Sequence, residues 1–253
     1  MVNPKPEQLT DTLRERVLGD SYPDGRIPSE AALVAEFGVS RTTVRSALTA
    51  LQNEGLLRAQ PGVGYFVRRF RHFTYRPQDD FRRKESIYAP EAWTKAVSGQ
   101  EPTQRIEVMM VAAPSDVARR LQVPEGEFVV LRSRMRMLDE EPFQINDSYY
   151  PRDVAEGTEA MQPESVARGV NQVLADHGHA QVRAMDEFWV RMPNPDEVHR
   201  LRIPPGTPVA EHLVTGFTAS GRAVRMARTV LPGDRNVILY ERTHPEHEAE
   251  FAG

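Results

Sequence analysis

The tightest constraint on the fold lies in residues 29–55, where two short amphipathic segments are separated only by Gly38-Val39-Ser40. Ser29 is placed to cap the first segment, whose apolar face is Leu33, Val34 and Phe37. Gly38 is placed to close it, because the residue ending a helix often turns left-handed and glycine does so without a Cβ penalty. Ser40 caps the second segment, in which Val44, Leu48 and Leu51 form one stripe that runs out near Gly55. A break this short forces the two helices to cross steeply. Upstream, Leu9, Leu13 and Val17 recur every fourth residue and predict a helix over Glu7–Leu18, ended by Pro23-Asp24-Gly25.

The face of the third helix away from its apolar stripe carries Arg41, Thr42, Thr43 and Arg45 in the first turns. A helix N-terminus offers free amides to phosphate, arginine pairs bidentately with guanine, and threonine meets phosphates or the thymine methyl. Taken alone, RTTVR reads more readily as a solvated surface pair of arginines. The next residues favour the first reading. Leu56–Ala59 and Tyr65–Arg68 form two short strands around Pro61-Gly62-Val63-Gly64, a hairpin placed directly after the helix. Residues from about 5 to 70 therefore read as a winged helix-turn-helix, with the third helix entering the major groove.

The stretch RIPSEAALVAEFGVSRTTVRSALTALQNEGLLRAQPGVGYFVRR, residues 26–69, resembles the DNA-binding domain of the GntR family of bacterial regulators. The resemblance implies that Ser40, Arg41, Thr42, Thr43 and Arg45 meet DNA, with Gly62 and Gly64 at the wing tip. Two positions depart from the family pattern. Ala31 stands where an arginine often follows the Ser-Glu pair, and Val63 where a basic residue often sits between the wing glycines.

Charge is distributed in the same sense. Residues 1–84 hold 14 Lys/Arg against 10 Asp/Glu, and the remainder 18 against 26, so +4 is followed by −8. That asymmetry suits a polyanion-binding module, and solvated surface charge explains it equally well. The absence of cysteine excludes disulfides and thiolate chemistry, and no run approaches a membrane span. A cytoplasmic protein with no membrane partner is expected.

Residues 71–86 read as a linker with interleaved aromatic and basic side chains: Arg71, Phe73, Tyr75, Arg76, Phe81, Arg82 and Arg83. They are either an arm on nucleic acid or a strand whose aromatics dock on a neighbouring domain, and the second is favoured. Beyond them the chain nearly repeats itself. Leu121, Val123, Pro124, Gly126 and Val129 correspond to Leu201, Ile203, Pro204, Gly206 and Val209. Each copy reads as short helix, Pro-x-Gly turn, strand, hairpin turn and strand, with turns at Asp139-Glu140-Glu141 and Ala219-Ser220-Gly221. Ile106–Val111 and Val182–Val190 are strands preceding each copy, and a helix over Glu164–His177 separates the halves. The expectation is an α+β domain over residues 87–245, built on a mostly antiparallel sheet with pseudo-twofold character, then a polar tail over 246–253.

This half resembles UTRA, the effector-binding domain of the HutC branch of GntR regulators, through VVLRSRMRMLDEEP, the strand ending at Tyr150-Pro151, and ARTVLPGDR. The family fold is related to chorismate lyase, so a DNA-tethered lyase-like enzyme is an alternative. A ligand-free dimerisation scaffold is another.

Arg132, Arg134 and Arg136 alternate along one strand and share a face. They are either a solvent-facing polar edge or an anion site. The resemblance favours the anion site, because Arg134 and Arg136 match positions that bind the phosphate of sugar-phosphate effectors in some members. A carboxylate that often contacts ligand falls at Asn146, and the capping hydroxyl-rich loop is Ala89-Pro90-Glu91-Ala92, without a hydroxyl. A polar or anionic effector is implied, but not a phosphosugar. Trp93, Tyr149, Arg228 and Asp234 complete the candidates, with core packing the alternative for Trp93.

Asp176, His177 and His179 fit a helix end better than a metal site, and His244, Glu246 and His247 a polar tail. No phosphate loop, nucleophile elbow or zinc-protease motif occurs, so neither a catalytic site nor a cofactor is expected. The whole reads as a homodimeric repressor on a pseudo-palindromic operator, its affinity set by a small effector.

Overall fold

The structure is a computed structural model that describes residues 6–68, 73–78, 102–138, 140–204 and 206–242. The chain divides into two compact units, residues 1–71 with 192–208, and residues 72–191 with 209–253.

In the first unit α1 (Pro6–Leu18), α2 (Glu30–Phe37) and α3 (Arg41–Asn53) precede the hairpin β1 (Leu57–Gln60) and β2 (Gly64–Val67). The predicted stripes are the core. Leu9, Leu13, Leu33, Val44, Leu48, Leu51 and Leu57 are all buried in one cluster. The caps fall on the expected residues. The Ser29 oxygen accepts from the Ala32 amide at 3.2 Å, and Gly38 closes α2 at φ 66 with its amide on the Val34 carbonyl. Ser40 Oγ accepts from the Thr43 amide at 3.1 Å and starts α3. The hairpin pairs Leu57 with Val67 and Gln60 with Gly64. Residues 25–27 brace it, with Val67 N on the Gly25 carbonyl at 2.7 Å and Ile27 N on the Tyr65 carbonyl at 2.9 Å.

The second unit holds a six-stranded sheet in the order β4-β5-β6-β9-β8-β7, with every neighbouring pair antiparallel. The strands are β4 (Pro102–Ala112), β5 (Phe128–Leu138), β6 (Glu141–Pro151), β7 (Arg183–Arg191), β8 (Val209–Phe217) and β9 (Ala223–Pro232). Its short helices are α4 (Ser115–Leu121), α5 (Arg152–Ala155), a 3-10 turn at Glu159–Met161 and α6 (Val170–Asp176); α7 (Pro195–Leu201) follows β7 in the chain and belongs to the first unit.

The internal repeat is structural. Each copy runs strand, helix, strand, strand, and the two copies meet at the central β6–β9 pair. Val129 pairs with Pro151 and its counterpart Val209 with Pro232. The hairpin bulges match as well, between Arg136 and Met137 in one copy and Gly216 and Phe217 in the other. Gln122 and Arg202, which close α4 and α7, are both left-handed.

Three details differ from the sequence reading. The helix expected over Glu164–His177 is only Val170–Asp176, because Gly169 at φ 77 breaks the backbone just before it. Part of the presumed linker is a strand, β3 (Phe73–Tyr75), paired in parallel with β10 (Asn236–Ile238). The strand bearing the three arginines is not a solvent-facing edge, since β5 lies between β4 and β6.

Candidate nucleic-acid interface and effector face

The helix cap builds the first site. With Ser40 holding the Thr43 amide, and its hydroxyl 2.9 Å from that of Thr43, the first turn of α3 is rigid. It carries no acidic residue to oppose an incoming phosphate. Val44, Ala47, Leu48 and Leu51 are buried, which turns Arg41, Thr42 and Arg45 outward. Both arginine side chains are largely exposed, at 70% and 59%. Their guanidiniums share one partner, Glu30 at the start of α2, at 2.7 Å from Arg41 and 2.9 Å from Arg45. At the wing tip Gly62 has φ 75 and Gly64 φ 135, conformations that a side chain would strain. Val63 between them is exposed, and its carbonyl accepts from Arg26 Nη2 at 3.3 Å. Ser40, Arg41, Thr42, Thr43 and Arg45 thus occupy one end of α3, with Gly62 and Gly64 on the hairpin that follows it.

The second site follows from strand alternation. On one face of the sheet the register aligns Arg134, Asn146, Thr229 and His212 across four strands. All four are buried. Arg132 and Arg136 flank Arg134 on that face, opposite Ser148 and Gln144, and are buried too. The row is knitted together. Asn146 Nδ2 donates to Thr229 Oγ1 at 2.7 Å, Ser148 Oγ to Asn146 Oδ1 at 3.2 Å, and Arg136 Nη1 to Gln144 Oε1 at 3.2 Å.

Arg132 has a distinct task. It donates to the Ala160 carbonyl at 3.4 Å and to those of Gln162 and Glu164, fastening the 160–164 segment over the face. Burial, with Arg134 nearby, pushes its guanidinium down to about 10, so it stays charged at neutral pH. Backbone carbonyls satisfy donors but bring no net negative charge. Two of its three nitrogens bond that segment.

Two further candidates do not converge with the row. Tyr149 packs with Val117, Leu121, Val129 and Met226 beneath α4, on the opposite face. Arg228 lies on that face too, bonded to Asp116 of α4 and 3.3 Å from Glu211. Both are one strand step out of phase with Asn146 and Thr229, and alternation sends them to the other side. Asp234 is paired with its neighbour Arg235 at 3.0 Å. Trp93 and the Ala89–Ala92 loop lie outside the described residues, as do Asp139 of the first hairpin turn and Arg71, Phe81, Arg82 and Arg83 of the linker.

His212 and Thr229 escaped the sequence reading, and Tyr75 was placed there only among the linker aromatics. His212 Nδ1 lies 2.8 Å from the Tyr75 hydroxyl and its Nε2–H donates to Asp186 Oδ1 at 2.7 Å, with Phe188 stacked on its ring at 4.1 Å. The internal repeat could have found it, because the offset that carries Val129 to Val209 carries Arg132 to His212. Phe73 packs 4.6 Å from Phe143, so these linker aromatics dock on the effector-side unit.

Among the described residues no three His, Asp or Glu side chains come together as a metal site. His177 binds the Val173 carbonyl at 2.8 Å at the end of α6, and Asp176 pairs with Arg168. His244, Glu246 and His247 lie outside the described residues. Among the described residues no helix is long and apolar enough to cross a membrane.

Residues 5–67 match the family described as bacterial regulatory proteins, gntR family, and residues 98–236 match the UTRA domain. An uncharacterized HTH-type transcriptional regulator of Rhizobium meliloti is 33% identical, over 92% of this chain and 93% of its own. The HTH-type transcriptional repressor NagR of Bacillus subtilis is 26% identical, over 92% of both chains. A crystal structure described as that of a GntR-family transcriptional regulator superposes with a TM-score of 0.63 at 26% identity, over 95% of this chain and 98% of that one. The capped α3, the hairpin behind it and the duplicated sheet are thus the parts of a known architecture, and the chain belongs to the GntR family of transcriptional regulators with a UTRA domain.

Proposed function

We propose that the chain is a homodimeric repressor whose hold on duplex operator DNA is changed by a small anionic ligand in the UTRA domain. Ser40, Arg41, Thr42, Thr43 and Arg45 enter the major groove, with Gly62 and Gly64 at the backbone beside it. Two copies read a pseudo-palindrome one helical turn apart. The ligand lies on the face of Arg134, Arg136 and Asn146, and the protein acts in the cytoplasm.

One observation carries the ligand reading: three arginines buried side by side on one face of β5, one strand out from the central β6–β9 pair. Burying like charges is costly unless an anion offsets them. Two relatives are named repressors, NagR and the mannosyl-D-glycerate transport/metabolism system repressor MngR of Escherichia coli, which supports the sign of regulation. The relatives named as transcriptional regulators support a regulator over a lyase.

Selection of a duplex from a randomised pool, then titration with Arg41→Ala and Arg45→Ala, tests the DNA half. Each variant loses about 1–3 kcal/mol on the selected duplex. Unchanged binding by the double variant refutes the assignment. Thermal shifts against organic acids and phosphorylated compounds test the ligand half, with Arg134→Met as control. A screen blank throughout leaves the domain as a dimerisation scaffold, and pyruvate released from chorismate would make it an enzyme. Sedimentation at about twice the 28.6 kDa chain mass is expected, and a monomer on DNA refutes the dimer.

A further inference from the structure

Among the described residues Glu30 is the carboxylate in contact with the exposed end of α3. It is the first residue of α2, fixed there by the Ser29 cap. Its side chain is only 18% exposed, while the arginines it holds are 70% and 59% exposed. Arg41 and Arg45 stand four residues apart on one helix face, where like charges repel. One carboxylate reaches both. Arg41 Nε meets Oε2 at 2.7 Å, and Arg45 Nε meets Oε1 at 2.9 Å and Oε2 at 3.0 Å.

The atoms used matter more than the charge. Each guanidinium is gripped at Nε, the inner edge of its planar fork. Among the described residues no acceptor holds the outer edge of either, formed by the two terminal nitrogens. That outer edge is the one that matches guanine O6 and N7. A guanidinium held at Nε cannot turn about its own axis, so the grip fixes where both outer edges point. The carboxylate also cancels one of two positive charges at the groove and repels phosphate, which weakens base-independent attraction. Hydrogen bonds from Arg41 and then Arg45 hold its carboxyl below the usual carboxylate range, so it is ionised throughout the neutral region.

We propose that Glu30 is a positioning residue that determines specificity: it orients Arg41 and Arg45 as a pair toward guanine edges and disfavours binding that does not read bases. The inference rests on the reading of α3 as the element in the groove. Glu30 costs affinity for DNA in general and returns it on the right sequence.

The test uses the full chain and a duplex selected by it from a randomised pool, beside a scrambled duplex of equal length at one salt concentration. Wild type, Glu30→Gln, Glu30→Asp and the Arg41→Ala/Arg45→Ala double variant are compared. Glu30→Gln binds the scrambled duplex a few-fold tighter, and its ratio of selected to scrambled affinity falls about five- to a hundredfold. Glu30→Asp keeps the charge but loses reach, so the ratio falls while scrambled affinity stays put. Replacing guanine by 7-deazaguanine removes the N7 acceptor; this penalises wild type strongly and Glu30→Gln little, a difference that mere loss of stability would not produce. A wild-type ratio and a wild-type 7-deazaguanine penalty in both Glu30 variants overturns the inference while leaving the groove assignment standing. Unchanged binding by the double alanine variant overturns the groove assignment itself.

Discussion

Replacing Arg132 with methionine separates two roles that the sequence alone could not tell apart, a ligand contact and a fastener of the segment above the sheet. The side chain is 1% exposed, and its charged form is disfavoured by burial down to about 10. Against an ordinary guanidinium that gap is worth about 3 kcal/mol, which methionine would recover. Two bonds to the Gln162 and Glu164 carbonyls oppose it, each worth about 1.5–3 kcal/mol for a charged donor. The third, at 3.4 Å to Ala160, is too long to add much. The balance is a loss of about 2 kcal/mol, hence a fall in melting temperature of about 4–8 °C for a chain of this size. Arg132→Lys keeps the desolvation cost and offers a point charge in place of a fork, so it recovers little. Melting followed by circular dichroism, with urea titration beside it, reads the change. A methionine variant as stable as wild type but deaf to ligand would refute the fastener and restore Arg132 to the binding site.

Further outcomes follow from other contacts. Ser40→Ala removes the cap on the Thr43 amide and costs about 1 kcal/mol by urea unfolding, with weaker DNA binding alongside. An unchanged midpoint would show that the amide finds another partner. Tyr75→Phe strips the hydroxyl from the buried His212 nitrogen and costs about 1–3 kcal/mol; hydrogen exchange at residues 73–75 should quicken, and unaltered protection would contradict the contact. Phosphate contacts release counterions, so each arginine of α3 that touches phosphate lowers the salt slope by about 1 when replaced by alanine. An arginine that reads only bases leaves that slope unmoved.

The legible parts of the fold are those set by local spacing. Ser29, Gly38 and Ser40 mark helix ends through their own backbone chemistry, and the Leu9-Leu13-Val17 period needs no distant partner to be visible. The repeat is legible because Gly126 and Gly206, both at positive φ, and the prolines before them punctuate each copy alike. Pairing at a distance is not. β3 and β10 are three residues each, too short for a pattern, and separated by most of the second unit. For the effector face, grouping Tyr149 and Arg228 with Asn146 overlooked strand parity, a signal present in the sequence once the strands are drawn. The shared grip of Glu30 on two arginines joins separate helices and becomes visible only when they cross.

The matched positions of Arg132 and His212 have a consequence for how the domain is covered. One fastens the 160–164 segment through backbone carbonyls, the other fastens β3 through a phenol, and each does so from the same place in its own copy of the repeat. A duplicated half-sheet has thus kept one station for tying down a crossing strap and changed the knot. The two straps can therefore be undone separately, one substitution each. The strap over the second copy is the stretch of chain that leads back to the winged unit.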